Sequence, residues 1–320
     1  MIDTAGETDG VASRPLVDEV LSEEQRAEEQ RKAEQKAERE NTQREIESGN
    51  STLTRREQRR VSAHSRLTAL TVFSIIRSEG EEELRRPTSS LWWSGIAAGI
   101  GISTSVFAQA LLYGALEGSP NRWLVSSLGY AVGFVLVILS RLQLFTENTL
   151  SVVLPMLSEP SWGKLGQSAR LWAIVLSANF IGTFLTAFFV IVMSTGADGQ
   201  VAPGVQAMLE VSQHAAHSVG LTALVKAIPA GFFIAALVWM LPSSKGFEIW
   251  VILLFTALIA AGGFTHVIAG STEMFLLVIN GQMGILEAFT GYLVPTFAGN
   301  VIGGTGLFAM LAYGQIHAEI

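Results

Sequence analysis

Two stretches of this chain set polar side chains where apolar neighbours would otherwise run unbroken. Leu144-Phe145-Thr146-Glu147-Asn148 interrupts one apolar run and Gly263-Phe264-Thr265-His266 interrupts another. His266 carries the richest chemistry, because an imidazole donates or accepts a hydrogen bond and changes charge near neutral pH. In the middle of an apolar run it is costly to bury and is expected to serve a function. Gly262 and Gly263 beside it let the backbone unwind, which is expected to turn amide N–H groups toward a cavity. Thr146 reads as the matching position in the first stretch, with a hydroxyl that can face His266. Leu144 and Phe145 are bulky and suit a dry constriction that stops hydrated ions; plain core packing accounts for them equally well.

A second pattern follows each interruption one crossing later. Ala178-Asn179-Phe180-Ile181-Gly182 follows the first, and Gly299-Asn300-Val301-Ile302-Gly303 the second. Asn179 and Asn300 are expected to serve structure, capping the freed backbone of the opposing broken helix. Four ionisable groups sit at a similar depth. Lys226 either snorkels to an outer interface or reaches inward to attract an anion. Arg141 and Glu147 flank the first interruption and read as a pair. Glu273 follows His266 by about two helical turns and is expected on a similar face. Pairing for stability alone explains Arg141, Glu147 and Glu273 as well as function does. His214 and His217 lie in a charge-poor segment; with no cysteine and no clustered acids, neither a metal site nor a cofactor is expected there. No nucleophile–base pair is visible, so the chain does not read as an enzyme.

These residues need long apolar elements to position them. Of 320 residues, 49% are hydrophobic, and the charge is concentrated at the front: residues 1–88 hold 15 of the 21 Lys and Arg and 19 of the 28 Asp and Glu. The remainder has too little charge to coat a water-facing domain. It reads as six spans, roughly 91–116, 123–157, 171–193, 221–241, 249–279 and 289–313. The second and fifth are longer than the ~20 residues that cross a bilayer, and the two interruptions fall inside them. The expected fold class is therefore an all-α membrane protein of six transmembrane helices, a 3+3 inverted repeat with two broken helices, of the kind that builds a polar site at mid-bilayer. Trp123, Trp162, Trp172, Trp239 and Trp250 fall near span ends, as an aromatic belt requires.

Residues 1–60 read as a charged cytoplasmic tail, disordered or partly helical. Alanines are the only apolar residues from Ala27 to Ala37, too weak a seam for a coiled coil. Residues 61–88 read as an amphipathic interfacial helix and linker, with Leu67, Leu70, Phe73 and Ile76 on one stripe that lies on the membrane or packs on the protein's own helix ends. Residues 89–320 read as the pore domain. The first 60 residues hold no apolar h-region, so the first span is expected to act as the targeting signal. Arg85, Arg86, Lys164, Arg170 and Lys245 fall in loops of one side and only Arg122 in those of the other, which puts both termini in the cytoplasm. Nucleic acid is not an expected partner, since no basic patch with interleaved aromatics occurs.

Leu144-Phe145-Thr146, Gly263-Phe264-Thr265-His266 and Gly299-Asn300-Val301-Ile302-Gly303-Gly304 together resemble the formate/nitrite transporter family, over about residues 65–317. With its charged tail and Thr-Glu-Asn-Thr at 146–149, the chain is most similar to a bacterial inner-membrane branch of that family. The resemblance implies an aquaporin-like homopentamer in the inner (plasma) membrane, surrounded by lipid, with one pore per subunit for small monovalent weak-acid anions such as formate or nitrite. It implies that Leu144, Phe145 and Thr146 form the loop of the broken second helix and that His266 is the central pore histidine. Family members typically carry Glu before that histidine, where this chain has Thr265. They carry Asn where it has Gly231, and an outer Lys where it has Ala215. A protonation-assisted anion pore is the main reading. A neutral-solute pore, or a non-transporting scaffold whose tail recruits a cytoplasmic partner, are the alternatives.

Overall fold

The computed structural model describes residues 28, 30–38, 40, 54, 56–57, 66–196 and 199–319. Most of the reading of residues 1–60 as a disordered or partly helical tail lies outside these. The chain divides into residues 1–66 and 67–320. In the first unit residues 30–38 are helical and exposed, with a Lys32–Glu28 ion pair at 2.6 Å.

The second unit is helical throughout; among the described residues the only strand-like feature is a bridge between Thr195 and Val201. Its helices are α1 (Ala69–Arg85), α2 (Thr88–Ala115), α3 (Arg122–Leu139), α4 (Phe145–Ser151), α5 (Val153–Ser158), α6 (Trp162–Ser194), α7 (Pro203–Ala216), α8 (Leu221–Met240), α9 (Glu248–Ala261), α10 (Val267–Ile279) and α11 (Glu287–Ile316). Five of them, α2, α3, α6, α8 (extended by one turn) and α11, are long and apolar enough to cross a membrane, while α9 and α10 are shorter and apolar. Large apolar side chains such as Phe107, Leu111, Phe189, Leu254 and Leu311 are exposed on the outside, a surface suited to lipid or neighbouring subunits rather than water.

The Asn-x-x-Gly motifs explain how the helices approach one another. A Cβ on Gly182 of α6 would collide with the Ile96 carbonyl of α2, and one on Gly303 of α11 with the Ile228 carbonyl of α8. Small residues at these crossings let backbones touch, which drives helix association where no hydrophobic effect operates. The asparagines sit in the same two crossings and are fully buried.

Two elements go beyond the expected spans, and a third has two expected readings. The segment 194–218 contains a helix, α7, packed on α2 and α10; Pro203 at its first turn is a start signal of known physical origin. The last span is not uniform: Glu287–Leu293 and Ile302–Ala309 are π-helical. The stripe on α1 runs through Val72, Phe73, Ile76 and Leu84, whereas Leu67 is exposed. That stripe faces the protein, packing on α5 and the end of α11, with Phe73 against Tyr313.

Candidate functional site

Between α3 and α4, and again between α9 and α10, the chain leaves the helix by the same route. Arg141 (φ 54°) and Gly263 (φ 62°) adopt the left-handed conformation. In the first turn Arg141 N–H donates to Ile138 and Leu142 N–H to Val137; in the second Gly263 N–H donates to Ala260 and Phe264 N–H to Ile259. This is the helix-ending pattern that satisfies last-turn carbonyls. Two extended residues follow, and a new helix starts.

Each asparagine then stitches one turn in place. Asn179 Oδ1 accepts from Phe145 N–H (2.9 Å), and its Nδ2 donates to the carbonyls of Gln143 (2.9 Å) and Gly95 (2.8 Å). Asn300 Oδ1 accepts from Val267 N–H (2.8 Å), and its Nδ2 donates to Thr265 (3.0 Å) and Ala227 (2.8 Å). The bonding caps freed backbone, but each asparagine serves the turn of its own half rather than the opposing one that was expected. It also corrects the expected correspondence: His266 occupies the place of Leu144, not of Thr146. Both are the residue before their helix, with φ/ψ of −104°/124° for Leu144 and −109°/127° for His266.

Thr146 meets His266 nonetheless. Its Oγ1 lies 2.8 Å from His266 Nε2. His266 Nδ1 accepts the Ala269 N–H at 3.2 Å, so the imidazole caps α10. In a neutral ring, with the Nδ1 lone pair so engaged, the hydrogen sits on Nε2 and points at the Thr146 hydroxyl. Phe134 of α3 stands edge-on to the ring, 5.0 Å between centroids. Leu144 and Phe145 are fully buried, and Phe145 packs against Trp172 and Phe297, each at 5.4 Å.

The amides expected to face a cavity are largely taken up inside the protein. Gly262, Gly263 and Phe264 donate back into α9, Thr265 N–H donates to the Lys226 carbonyl (3.3 Å), and Val267 and Ala269 are bonded as above. The expected Arg141–Glu147 pair does not form either. Arg141 is exposed and its guanidinium bonds Glu79 of α1 at 3.1 Å, while Glu147 Oε1 is buried without a partner. The left-handed backbone at Arg141 begins the turn away from Glu147.

On one side of His266 lies a narrow chamber of ≈ 20 Å³, room for about one water. Gln109, Tyr130, Thr265, His266, Glu273 and Tyr292 supply its polar lining. Thr265 spends its hydroxyl on the Ala223 carbonyl at 3.0 Å. Gln109, Tyr130 and Tyr292 escaped the sequence reading, although each is a polar group inside an apolar run. Gly270 makes room for one of them: a Cβ there would strike the Tyr292 hydroxyl. Of the other departures, Ala215 lines this chamber, and Gly231 packs so tightly on the Asn300 backbone that a side chain would collide.

A wider pocket of ≈ 480 Å³ lies on the α7 side, lined by Tyr113, Glu210, Gln213, His214, His217 and Lys226 among others. Glu210 pairs with Arg122 at 3.8 Å, and Arg122 covers the Tyr113 ring. Burial, and then the Lys226 ammonium, hold His214 below the ordinary imidazole range. The His214 ring lies 3.9 Å from that of Trp123, tilted by 44°, and Trp123 also lines the inner chamber, so the two spaces share a wall.

On the opposite side, α1 seals a polar cluster. Glu83 accepts from the Ser151 hydroxyl (2.8 Å) and from Gln143 Nε2 (3.3 Å), and Gln143 accepts from Asn148. Burial pushes the Glu83 carboxyl up, against those two hydrogen bonds.

Comparison with known proteins decides the family. The formate/nitrite transporter profile matches residues 70–314. The chain belongs to the formate/nitrite transporter family. It is 37% identical over 256 residues to the inner membrane protein YfdC of Escherichia coli K12, covering 79% of this chain and 80% of YfdC. It is 27% identical over 217 residues to the formate channel FocA of the same organism, covering 61% and 74%. Among solved structures, a pentameric formate channel with formate bound superposes with a TM-score of 0.59 at 21% identity, over 72% of this chain and 98% of that one. A channel of the formate/nitrite transporter family superposes with 0.66 at 17% identity, over 77% and 98%. The matched relatives named for an activity are channels and transporters rather than enzymes.

Proposed function

We propose that this member of the formate/nitrite transporter family is a pore for small monovalent weak-acid anions, formate- or nitrite-like, which cross in protonated form at a centre around His266. The observation that carries the reading is the 2.8 Å contact between Thr146 and His266. It joins two helix interruptions 120 residues apart in sequence, with Leu144 and Phe145 dry beside it. An apolar constriction disfavours a charge and admits a neutral acid. The outer pocket carries the Lys226 ammonium, a positive charge that concentrates anions before that step. The imidazole hydrogen-bonds the passing solute through Nε2–H. Its Nδ1 is committed to α10, so the proton comes from the surrounding hydrogen-bond network.

In this reading residues 89–320 form the pore domain as a 3+3 inverted repeat with α3–α4 and α9–α10 as its broken helices. The matching turns and asparagine bonds support it. Residues 1–60 are a cytoplasmic tail and 61–88 a helical linker at the membrane face. The arrangement is a homopentamer in the inner membrane with both termini inside. The first of these has its support in the pentameric formate channel of similar fold. The second has support from α1: Arg77 and Lys164 share Glu159, and Arg170 bonds the Arg86 carbonyl and Thr88, so the basic groups gather on one face.

The test is uptake of formate and nitrite into proteoliposomes by the full chain and by His266→Ala and His266→Phe. Wild-type uptake that rises as pH falls, and is lost or no longer pH-dependent in both variants, is the expected result. Unchanged uptake would remove the histidine from the mechanism. Swelling by glycerol or urea without anion uptake would instead establish a neutral-solute pore.

A further inference from the structure

The chamber beside His266 holds groups that the His266–Thr146 contact does not use. Glu273 is 4% exposed, Gln109 1% and Tyr292 0%. Gln109 comes from α2, Glu273 from α10 and Tyr292 from α11. Gln109 Nε2 and the Tyr292 hydroxyl are buried with no hydrogen-bond partner, and among the described residues the Glu273 carboxyl has neither a hydrogen bond nor an ion pair. Buried polar groups are nearly always satisfied, and three unpartnered ones converging on one space point to something that visits it. Two are donors suited to anionic oxygens; the third is a carboxyl.

We propose that Glu273 is the proton donor of this pathway, transferring its proton to a weak-acid anion that Gln109 and Tyr292 receive when the chamber widens beyond the one water it admits at rest. This rests on the pore reading above and names the group that reading leaves open. The step is Glu273–COOH + A⁻ → Glu273–COO⁻ + HA. The neutral acid moves on past His266, and a proton from water in the outer pocket, passing Trp123, restores the carboxyl.

The surroundings suit such a role. No cation lines the chamber, and an ionised carboxylate buried without one is costly, so the carboxyl holds its proton until an anion arrives to take it. The titratable groups facing Glu273 are His266 at the head of its own helix, Tyr130 of α3 and Tyr292 of α11. The other packed elements offer neutral groups: α2 gives Gln109 and Ser103, which bonds Thr272, α6 gives Thr183, which bonds Ser271, and α7 gives Ala215, with His214 beyond Trp123. The outer pocket, which meets the chamber across His214 and Trp123, carries the Lys226 ammonium that draws anions.

Two readouts test this on the full chain in proteoliposomes. Formate uptake is measured from pH 5 to pH 8 with a trapped pH dye. Glu273→Gln is isosteric and is expected to fall at least about tenfold with loss of pH dependence, while Glu273→Asp keeps the pH dependence at reduced rate. Infrared difference spectra then follow the carboxylic C=O band. A band absent from Glu273→Gln and diminished by added formate is the expected result. Wild-type uptake and pH profile in Glu273→Gln would overturn the assignment, as would a band that is missing or indifferent to formate. A wild-type chain that passes no formate or nitrite would overturn the pore reading itself. The infrared response to formate still decides whether Glu273 meets the anion.

Discussion

The turn at residues 140–144 and the turn at 262–266 share one backbone and differ in what they present. Both leave a helix through a left-handed residue, both are held by two bonds from a buried asparagine whose third bond ties it to a neighbouring helix, and both end in an extended residue before a new helix. At that last position one has Leu144 and the other His266. The scaffold therefore comes from the asparagines and the helix ends, and the chemistry comes from a single exchanged side chain. The imidazole does two things leucine cannot: it caps its own helix through Nδ1 and reaches across to Thr146 through Nε2.

Removing the stitches should have the largest effect. Asn179→Ala or Asn300→Ala leaves a buried N–H and a buried carbonyl of its turn unpaired, each worth about 1–3 kcal/mol. Both variants should lose several kcal/mol and much of their folded yield, to a similar degree, in thermal melts of purified protein. Strongly unequal losses would break the equivalence of the two turns. Next comes His266→Leu, which makes the second turn resemble the first. It forfeits a cap of about 1 kcal/mol, so the protein should fold and melt only a few degrees lower, yet lose formate uptake. Smaller still is Gly263→Ala, a cost of about 1 kcal/mol for a Cβ in the left-handed region, again read from the melting temperature. Arg141→Gly should go the other way. It relieves the same strain in the first turn and gives up only an exposed ion pair worth about 0–1 kcal/mol, so the melt should hold or rise.

Much of this architecture was legible in sequence for a simple reason: an apolar run longer than a bilayer, with polar residues at its middle, has few ways to fold. Asn179 and Asn300 could be assigned their task because freed backbone groups in an apolar setting demand partners. The pairing of positions was not legible. Phe145-Thr146 and Phe264-Thr265 look alike as letters, but the turns align through Arg141 and Gly263, which share no side-chain chemistry and only a backbone conformation. The expected free amides failed on the same ground: side chains and carbonyls from distant helices bond them. Gln109, Tyr130 and Tyr292 were missed because each is a single polar residue in a different helix, and only packing brings them to one space. Arg141 was paired with Glu147 by proximity along the chain, whereas its partner Glu79 comes from α1.

One consequence follows from Gly270, where a Cβ would strike the Tyr292 hydroxyl. The two positions share one volume, so each limits what the other tolerates. An alanine at 270 should be damaging alone and far better accepted once Tyr292 is trimmed to phenylalanine. An evolving chain would have to change the phenol first and the glycine second, because the reverse order passes through a steric clash.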